Sequence, residues 1–430
     1  MEVLFPKSAD RRRRIATVLA WLALALAILL VARAMHKQGG VMQLNRAFGA
    51  RFAAGEDPWF DPARQQRVHG PYPPSLAWVA VPLASVPELA ARCLWACAQV
   101  GALAALFFLL RRRARLDFPA AAPHVPLLFA SSLLLASRFL LRDFAGGGGN
   151  LLYGTLAFAG IEIALSHGAL LAGIPLGLSL ALKPNLAPLL LFLALRGRWR
   201  ALASASLFTL IFFWLPAVSY GPERYADLAR EWASGVLQYA ELEDLHDSSL
   251  IPAGLPAAED GMNQSLREAV QRLVRSPGDS GAVDVHIADL SAASATWIAR
   301  SLLLGLVALS AWVALRARDR RGEWLAMLAF FPLSLLISPI TWKSHHALLV
   351  PLFFGLCCAT FEKARARSWS VFLFVYWVAC DLLSEEVAGR QAKRALQAAS
   401  VVTWFDIALI VALAILILRD KEPGWKTDPR

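Results

Sequence analysis

Long apolar blocks separated by short polar runs dominate the chain; residues 15–31, 201–218 and 401–418 are three of them. A helix of roughly 20 apolar residues spans a hydrocarbon core of roughly 30 Å, and within lipid its backbone groups must pair inside the segment. The blocks lack the alternation that marks the roughly ten-residue strands of a membrane β-barrel. The pattern therefore predicts an all-α fold, a polytopic transmembrane helical bundle. Fitting helices between the polar runs gives spans near 15–35, 88–110, 124–142, 151–166, 168–182, 184–196, 199–217, 290–316, 323–340, 346–362, 368–384 and 399–418. That is about twelve crossings, with residues 75–86 left as a partly inserted or juxtamembrane element. Arginines at 11–14 and Ala32-Arg33-Ala34 give the first block the outline of a signal peptide. Its apolar core exceeds the roughly 7–15 residues of such a peptide, so it reads as a retained helix. No internal repeat is visible, and residues 1–430 read as a single integral membrane domain.

Composition agrees: 57% of the 430 residues are hydrophobic and 17% charged, too apolar for a soluble domain. The net charge of +11 does not point to nucleic acid, because the cations gather between apolar blocks. Runs at 11–14, 111–115, 196–200, 316–321 and 363–367, and the tail from Arg419, mark a cytoplasmic side by the positive-inside bias. Both termini then lie inside. A first outer loop, 36–74, and a large outer loop, 218–289, lie outside with shorter segments at 143–150, 182–184, 340–346 and 385–398. Residues 218–289 carry many acids, among them Glu223, Glu243, Asp247, Glu259 and Asp260. The five cysteines, Cys93, Cys97, Cys357, Cys358 and Cys380, sit inside apolar blocks without metal-ligand spacing, which suits packing.

Polar residues at block ends are the candidate chemistry, since charge at membrane depth costs roughly 2.5–3.5 kcal/mol. Five clusters fall on the outer face. Gly55-Glu56-Asp57-Pro58-Trp59-Phe60-Asp61, followed by Tyr72-Pro73-Pro74, reads either as a solvated turn or as a loop holding a general base. Asp57 leads for that role, with Glu56, Asp61 and Asp143 as alternatives. Arg142-Asp143, the glycines at 146–149 and Asn150 make either a flexible connection or a backbone cradle for a phosphate. Lys183-Pro184-Asn185 is either a snorkelling end or an anion site. Asn263-Gln264-Ser265 is a helix start or a substrate contact. Ser338-Pro339-Ile340-Thr341-Trp342-Lys343-Ser344-His345-His346 is a polar helix end or an anion site. Adjacent histidines diverge by about 100° on a helix, so hydrogen bonding fits better than a metal, and no cofactor is called for.

Taken in order, these clusters resemble glycosyltransferase family 87, polytopic enzymes of the GT-C class. The resemblance rests on Gly55, Asp57-Pro58-Trp59, Tyr72-Pro73-Pro74, Leu182-Lys183-Pro184, Asn263-Gln264-Ser265-Leu266, and the Ser338 to His346 step. The Gly-Gln-x-Asn-like step is met only by Gly147 to Asn150, without glutamine. Family members carry an Asp early in the first loop, whereas residues 35–54 here contain no Asp or Glu.

The resemblance implies a polyprenyl-phosphate sugar donor, a lipid or glycan acceptor and membrane lipids as partners. It implies inverting transfer of a pentose or hexose on the non-cytoplasmic face, in a plasma membrane of the bacterial type. A carboxylate would take the acceptor proton. Arg142, Asn150, Lys183, Asn263, Gln264, Trp342, Lys343, His345, His346 and Tyr72 would bind the donor and its departing phosphate. The rival class is a transporter or flippase, for which Glu162, Asp381 and Asp406 inside apolar blocks speak.

Overall fold

The computed structural model describes residues 40–61, 65–68, 70, 72–166, 168–245, 248–256, 261–276, 283–362, 366–383 and 385–419. It also describes 17–18, 21, 25–26, 28–33 and 35–36 of the first apolar block. The arginines at 11–14, Asp247, Glu259, Asp260 and the tail beyond 419 lie outside the described residues.

Among the described residues, five helices are long and apolar enough to cross a membrane: Glu88–Asp117, Trp199–Tyr220, Ala292–Arg316, Lys343–Glu362 and Val401–Leu418. A sixth span arises if Ala122–Leu135 and Ser137–Gly146, bent by 69° at Ala136, count as one. That is five or six spans among the described residues, against the twelve crossings expected from the sequence. The expected spans 151–166, 168–182 and 184–196 are the shorter apolar helices Asn150–Leu165, Ala169–Leu182 and Pro184–Leu195, and Pro74–Ala84 is the short element expected at residues 75–86. Ala169–Leu182 and Pro184–Leu195 are divided at Lys183, which has φ −142 and ψ 78. Pro184 disfavours helical backbone at the residue before it and supplies no N–H of its own. The expected span 323–340 is likewise two helices, Arg320–Leu328 and Phe330–Ile337. The segments expected as loops are also built. Residues 36–74 contain the helix Val41–Ala53 and a two-residue antiparallel ribbon pairing Phe60 with Arg67 and Asp61 with Gln66. Residues 218–289 contain Pro222–Glu241 and Leu266–Val274.

Large apolar side chains such as Leu94, Phe108, Leu210, Trp297 and Leu304 point outward from the long helices. A contiguous surface of that kind suits lipid rather than water, and the chain is a helical membrane protein. Helices approach one another through small residues, as membrane helices do. A Cβ on Gly173 would overlap Ser204, and one on Gly177 would overlap Phe208, so Ala169–Leu182 lies flush against Trp199–Trp214. Cys357, Cys358 and Cys380 are buried as a packing role requires; Cys93 and Cys97 instead face outward from Glu88–Asp117.

The two ends of the bundle differ. At one end the cationic runs are tied down by acids. Arg113 is buried and donates to Asp117 at 2.8 Å and to Glu162 at 2.7 Å. Trp324 Nε1 donates to the other Glu162 oxygen at 2.7 Å, and Arg321 pairs with Glu362 at 2.6 Å. Arg196 and Arg198 share Glu323. Buried charges are tolerated when paired in this way. The polar motifs collect at the other end.

Candidate active site

The glycines at 146–149 turn the chain between two helices. Gly147 and Gly149 have φ of 71 and 69, a left-handed backbone that favours glycine. Side chains here would also collide: a Cβ on Gly147 would lie 2.8 Å from Met42 Cβ, and one on Gly148 2.7 Å from Asp143 Oδ1. The turn lets Asp143, wholly buried, reach the first turn of Asn150–Leu165. Its oxygens accept from Asn150 N at 3.0 Å, Leu151 N at 3.0 Å and Asn150 Nδ2 at 2.6 Å. A carboxylate at a helix N-terminus meets unpaired N–H groups and the positive end of the dipole.

Lys183 sits at the break described above, 4% exposed. Its ammonium lies 6.0 Å from the centre of the Tyr72 ring. Ser75 Oγ donates to Ala181 O at 2.6 Å, fastening the Tyr72-Pro73-Pro74 step to the Lys183-Pro184 step. Burial, and then the charge of Asp143, push the Tyr72 phenol above its ordinary pKa. Lys183 in turn lies within electrostatic reach of Asp143 and of His345. Tyr72, Asp143, Lys183 and His345, far apart in the chain, thus form one cluster.

His345 belongs to the 3-10 turn Lys343–Leu349. Its Nδ1 accepts from the Trp342 backbone N–H at 3.4 Å, and its ring lies 5.7 Å from that of Trp342. A neutral imidazole accepting at Nδ1 carries its proton on Nε2, where it can donate. His346 is placed differently: Nε2 donates to Asp406 Oδ2 at 2.8 Å, and Nδ1 faces Trp342 O at 3.3 Å. Both of its ring nitrogens face oxygens of the protein. Lys343 has Arg142, Arg138 and Lys393 as electrostatic neighbours, a second group of cations at the same end.

Asn263 and Gln264 are wholly buried in a polar joint. Asn263 Nδ2 donates to Pro339 O at 2.9 Å, and its Oδ1 accepts from Thr341 N at 2.8 Å and Ser265 N at 3.1 Å. Gln264 N donates to Thr341 O, and its Nε2 to Gly261 O at 2.9 Å. Ser265 caps Leu266–Val274 by accepting from Glu268 N, as the helix-start reading expects. Glu268 is buried against Tyr239, Asn263 and Arg272. Burial raises its carboxyl above the ordinary range, opposed chiefly by Arg272. The Asn263-Gln264-Ser265 and Ser338 to His346 steps are therefore bonded directly to each other.

Asp57 lies at the rim, where Arg67 grips it through Nη2 at 3.1 Å and Nε at 2.6 Å and Trp59 N donates at 3.0 Å. Arg67 also pairs with Glu231, which ties the ribbon to Pro222–Glu241. Glu56 is exposed, and its carbonyl accepts from Tyr220. The Asp61 side chain lies outside the described residues. Sequence reasoning missed Arg67 as the partner of Asp57 and Asp406 as the partner of His346. Asp406 was visible only as a lone acid in an apolar helix.

The sequence profile of glycosyltransferase family 87 matches residues 71–339. That segment, more than half of the chain, contains Tyr72, Asp143, Lys183 and Asn263, while Asp57 and His345 lie beyond it. No curated protein and no solved structure matches the chain.

Proposed function

The chain belongs to glycosyltransferase family 87 and is a membrane glycosyltransferase; from that premise we propose that it takes its sugar from a polyprenyl-phosphate carrier. The acceptor is a lipid or glycan, met on the non-cytoplasmic face. The observation that carries this reading is the cluster of Tyr72, Asp143, Lys183 and His345 at the end opposite the arginine-rich one. By the positive-inside bias the arginine-rich end is cytoplasmic, which puts the cluster on the other face. Nucleotide sugars are cytoplasmic, so a lipid-carried donor suits a site there.

In this proposal the carrier phosphate rests against Lys183 and the Nε2–H of His345, with Arg142 and Lys343 adding positive potential. Cations fixed where charge accumulates stabilise the departing phosphate. A carboxylate takes the acceptor hydroxyl proton as that oxygen attacks the anomeric carbon. The bond from that carbon to the phosphate oxygen breaks, and polyprenyl phosphate leaves with the electron pair. One displacement inverts the anomeric centre.

Asp143 takes first place as the carboxylate because, unlike Asp57 at the rim, it lies within electrostatic reach of Tyr72 and Lys183. Asn263 and Gln264 serve by holding the 338–346 segment in place. The transporter reading draws less support, since Glu162 pairs with Arg113 and Asp406 with His346. Asp381 accepts from Ser137 Oγ at 3.0 Å and from the Arg138 backbone N–H. Mass spectrometry of lipid-linked glycans from a deletion strain and its complemented strain tests the proposal. One glycan should lose a single sugar on deletion and regain it on complementation. Unchanged glycans, with a lipid-linked precursor accumulating on the cytoplasmic face, would favour a flippase.

A further inference from the structure

The helix Val401–Arg419 grips both the Asn263-Gln264-Ser265 and the Ser338 to His346 steps with residues spaced by three at its start. Ser400, just before it, accepts from Arg272 Nη2 at 2.7 Å. Thr403 Oγ1 donates to Gln264 O at 2.7 Å, and Asp406 Oδ2 accepts from His346 Nε2 at 2.8 Å. Residues three apart on a helix are neighbours on its surface, so these contacts run along one side.

We propose that Asp406 is a positioning residue for glycosyl transfer, fixing His346 and, through it, the Lys343–Leu349 turn that presents His345. His346 is enclosed on three sides: Asp406 on Nε2, Trp342 O on Nδ1, and the Phe139 ring 4.9 Å from its own. Asp406 and His346 are both wholly buried. The next residue along, His345, lies within electrostatic reach of Lys183. A ring fixed so completely holds the backbone that carries it. Its neighbour's donor then stays aimed at one point, and displacement by about 1 Å can cost on the order of 10²-fold in rate. Asp406 and His346 both lie outside the segment matched by the family profile.

The kinetic part of the inference rests on the glycosyltransferase reading; the mechanical part does not. Three variants test it in the full-length protein: Asp406→Asn, His346→Ala and His346→Gln. The glutamine amide can donate to Asp406 in place of Nε2–H. The expected result is a fall in kcat of about 10²-fold for Asp406→Asn and for His346→Ala, with KM for the donor unchanged. His346→Gln should keep most of the turnover, and the double variant Asp406→Asn/His346→Ala should be no slower than His346→Ala alone. Hydrogen exchange, measured without donor, should accelerate over residues 343–349 in Asp406→Asn at an unchanged melting temperature. Equal losses in His346→Gln and His346→Ala would overturn the proposal by making His346 a substrate contact. Normal kcat and normal exchange in Asp406→Asn would overturn it too. If Asp406→Asn does not fold, the contrast between His346→Gln and His346→Ala decides. If the wild-type protein transfers no sugar from any polyprenyl phosphate, the functional reading fails, and the exchange result still decides whether Asp406 holds the turn.

Discussion

The Lys183 ammonium lies 6.0 Å from the centre of the Tyr72 ring, which brings two distant polar steps of the chain together. A cation beside a half-buried ring gains about 1 kcal/mol. That contact offsets part of the cost of burying the lysine and leaves its charge available to an anion. Replacing Lys183 by Met keeps the bulk and removes the charge. The expected fall in kcat/KM is about 10²–10³-fold, the range for losing one fixed stabiliser of developing charge. Steady-state transfer in proteoliposomes checks this; a loss under about threefold would remove Lys183 from the site.

The two leading carboxylates are separated by their surroundings. Asp143→Asn should lower kcat by about 10²–10⁴-fold, as loss of a general base does. Asp57→Asn breaks a rim ion pair worth about 0–1 kcal/mol and should keep most of the turnover. The reverse ranking, measured on protein of equal melting temperature, would move the base to Asp57 and leave Asp143 as the cap of Asn150–Leu165.

Glu162 should matter to folding rather than to transfer. Glu162→Ala takes one of two carboxylates from the buried Arg113, which keeps Asp117, and leaves Trp324 Nε1 without its acceptor; a buried donor left unpaired costs about 1–3 kcal/mol. A lower melting temperature with unchanged kcat in the surviving folded protein is the expected outcome. An unchanged melting temperature with impaired turnover would instead revive a polar path through the bundle.

Glu268 gives the protein a pH dependence of defined sign. Its folded carboxyl titrates above the ordinary 4.5 because burial dominates. The folded state therefore binds more protons than the unfolded one over the interval above 4.5, and stability falls as pH rises through it. Glu268→Gln removes that term. Its melting temperature relative to wild type should improve between about pH 5 and about pH 8. A difference that stays flat or moves the other way would show that Arg272 outweighs burial.

Helices and their polar ends were legible in the sequence because apolar blocks and lone charges are local features. Tyr72, Lys183 and His345 stood out as polar residues at block ends, and Lys183 lies beside Tyr72 and within electrostatic reach of His345. The breaks inside helices were not legible: Ala136 and Ala329, where helices bend or divide, look like any other alanine in an apolar block. Lys183-Pro184 did carry a visible break, which the fitted spans already respected. Partners were the larger gap. Arg67 and Asp57 are ten residues apart in a loop, and His346 and Asp406 are sixty apart. No periodicity links such pairs, so the sequence shows each charge without showing what holds it. The same gap hid the difference between His345 and His346, neighbours in sequence that face different partners.

In the proposed reaction, sugar passes from a lipid phosphate at the cluster of Tyr72, Asp143, Lys183 and His345. The most direct measurement incubates the purified protein in proteoliposomes with acceptor and radiolabelled polyprenyl-phosphate sugars, a pentose and a hexose, beside the matching nucleotide sugars. Transfer is expected from one polyprenyl-phosphate sugar and not from the nucleotide sugars, with a loss of about 10²–10³-fold in Lys183→Met. Transfer from a nucleotide sugar, or undiminished transfer in Lys183→Met, would contradict the proposed reaction.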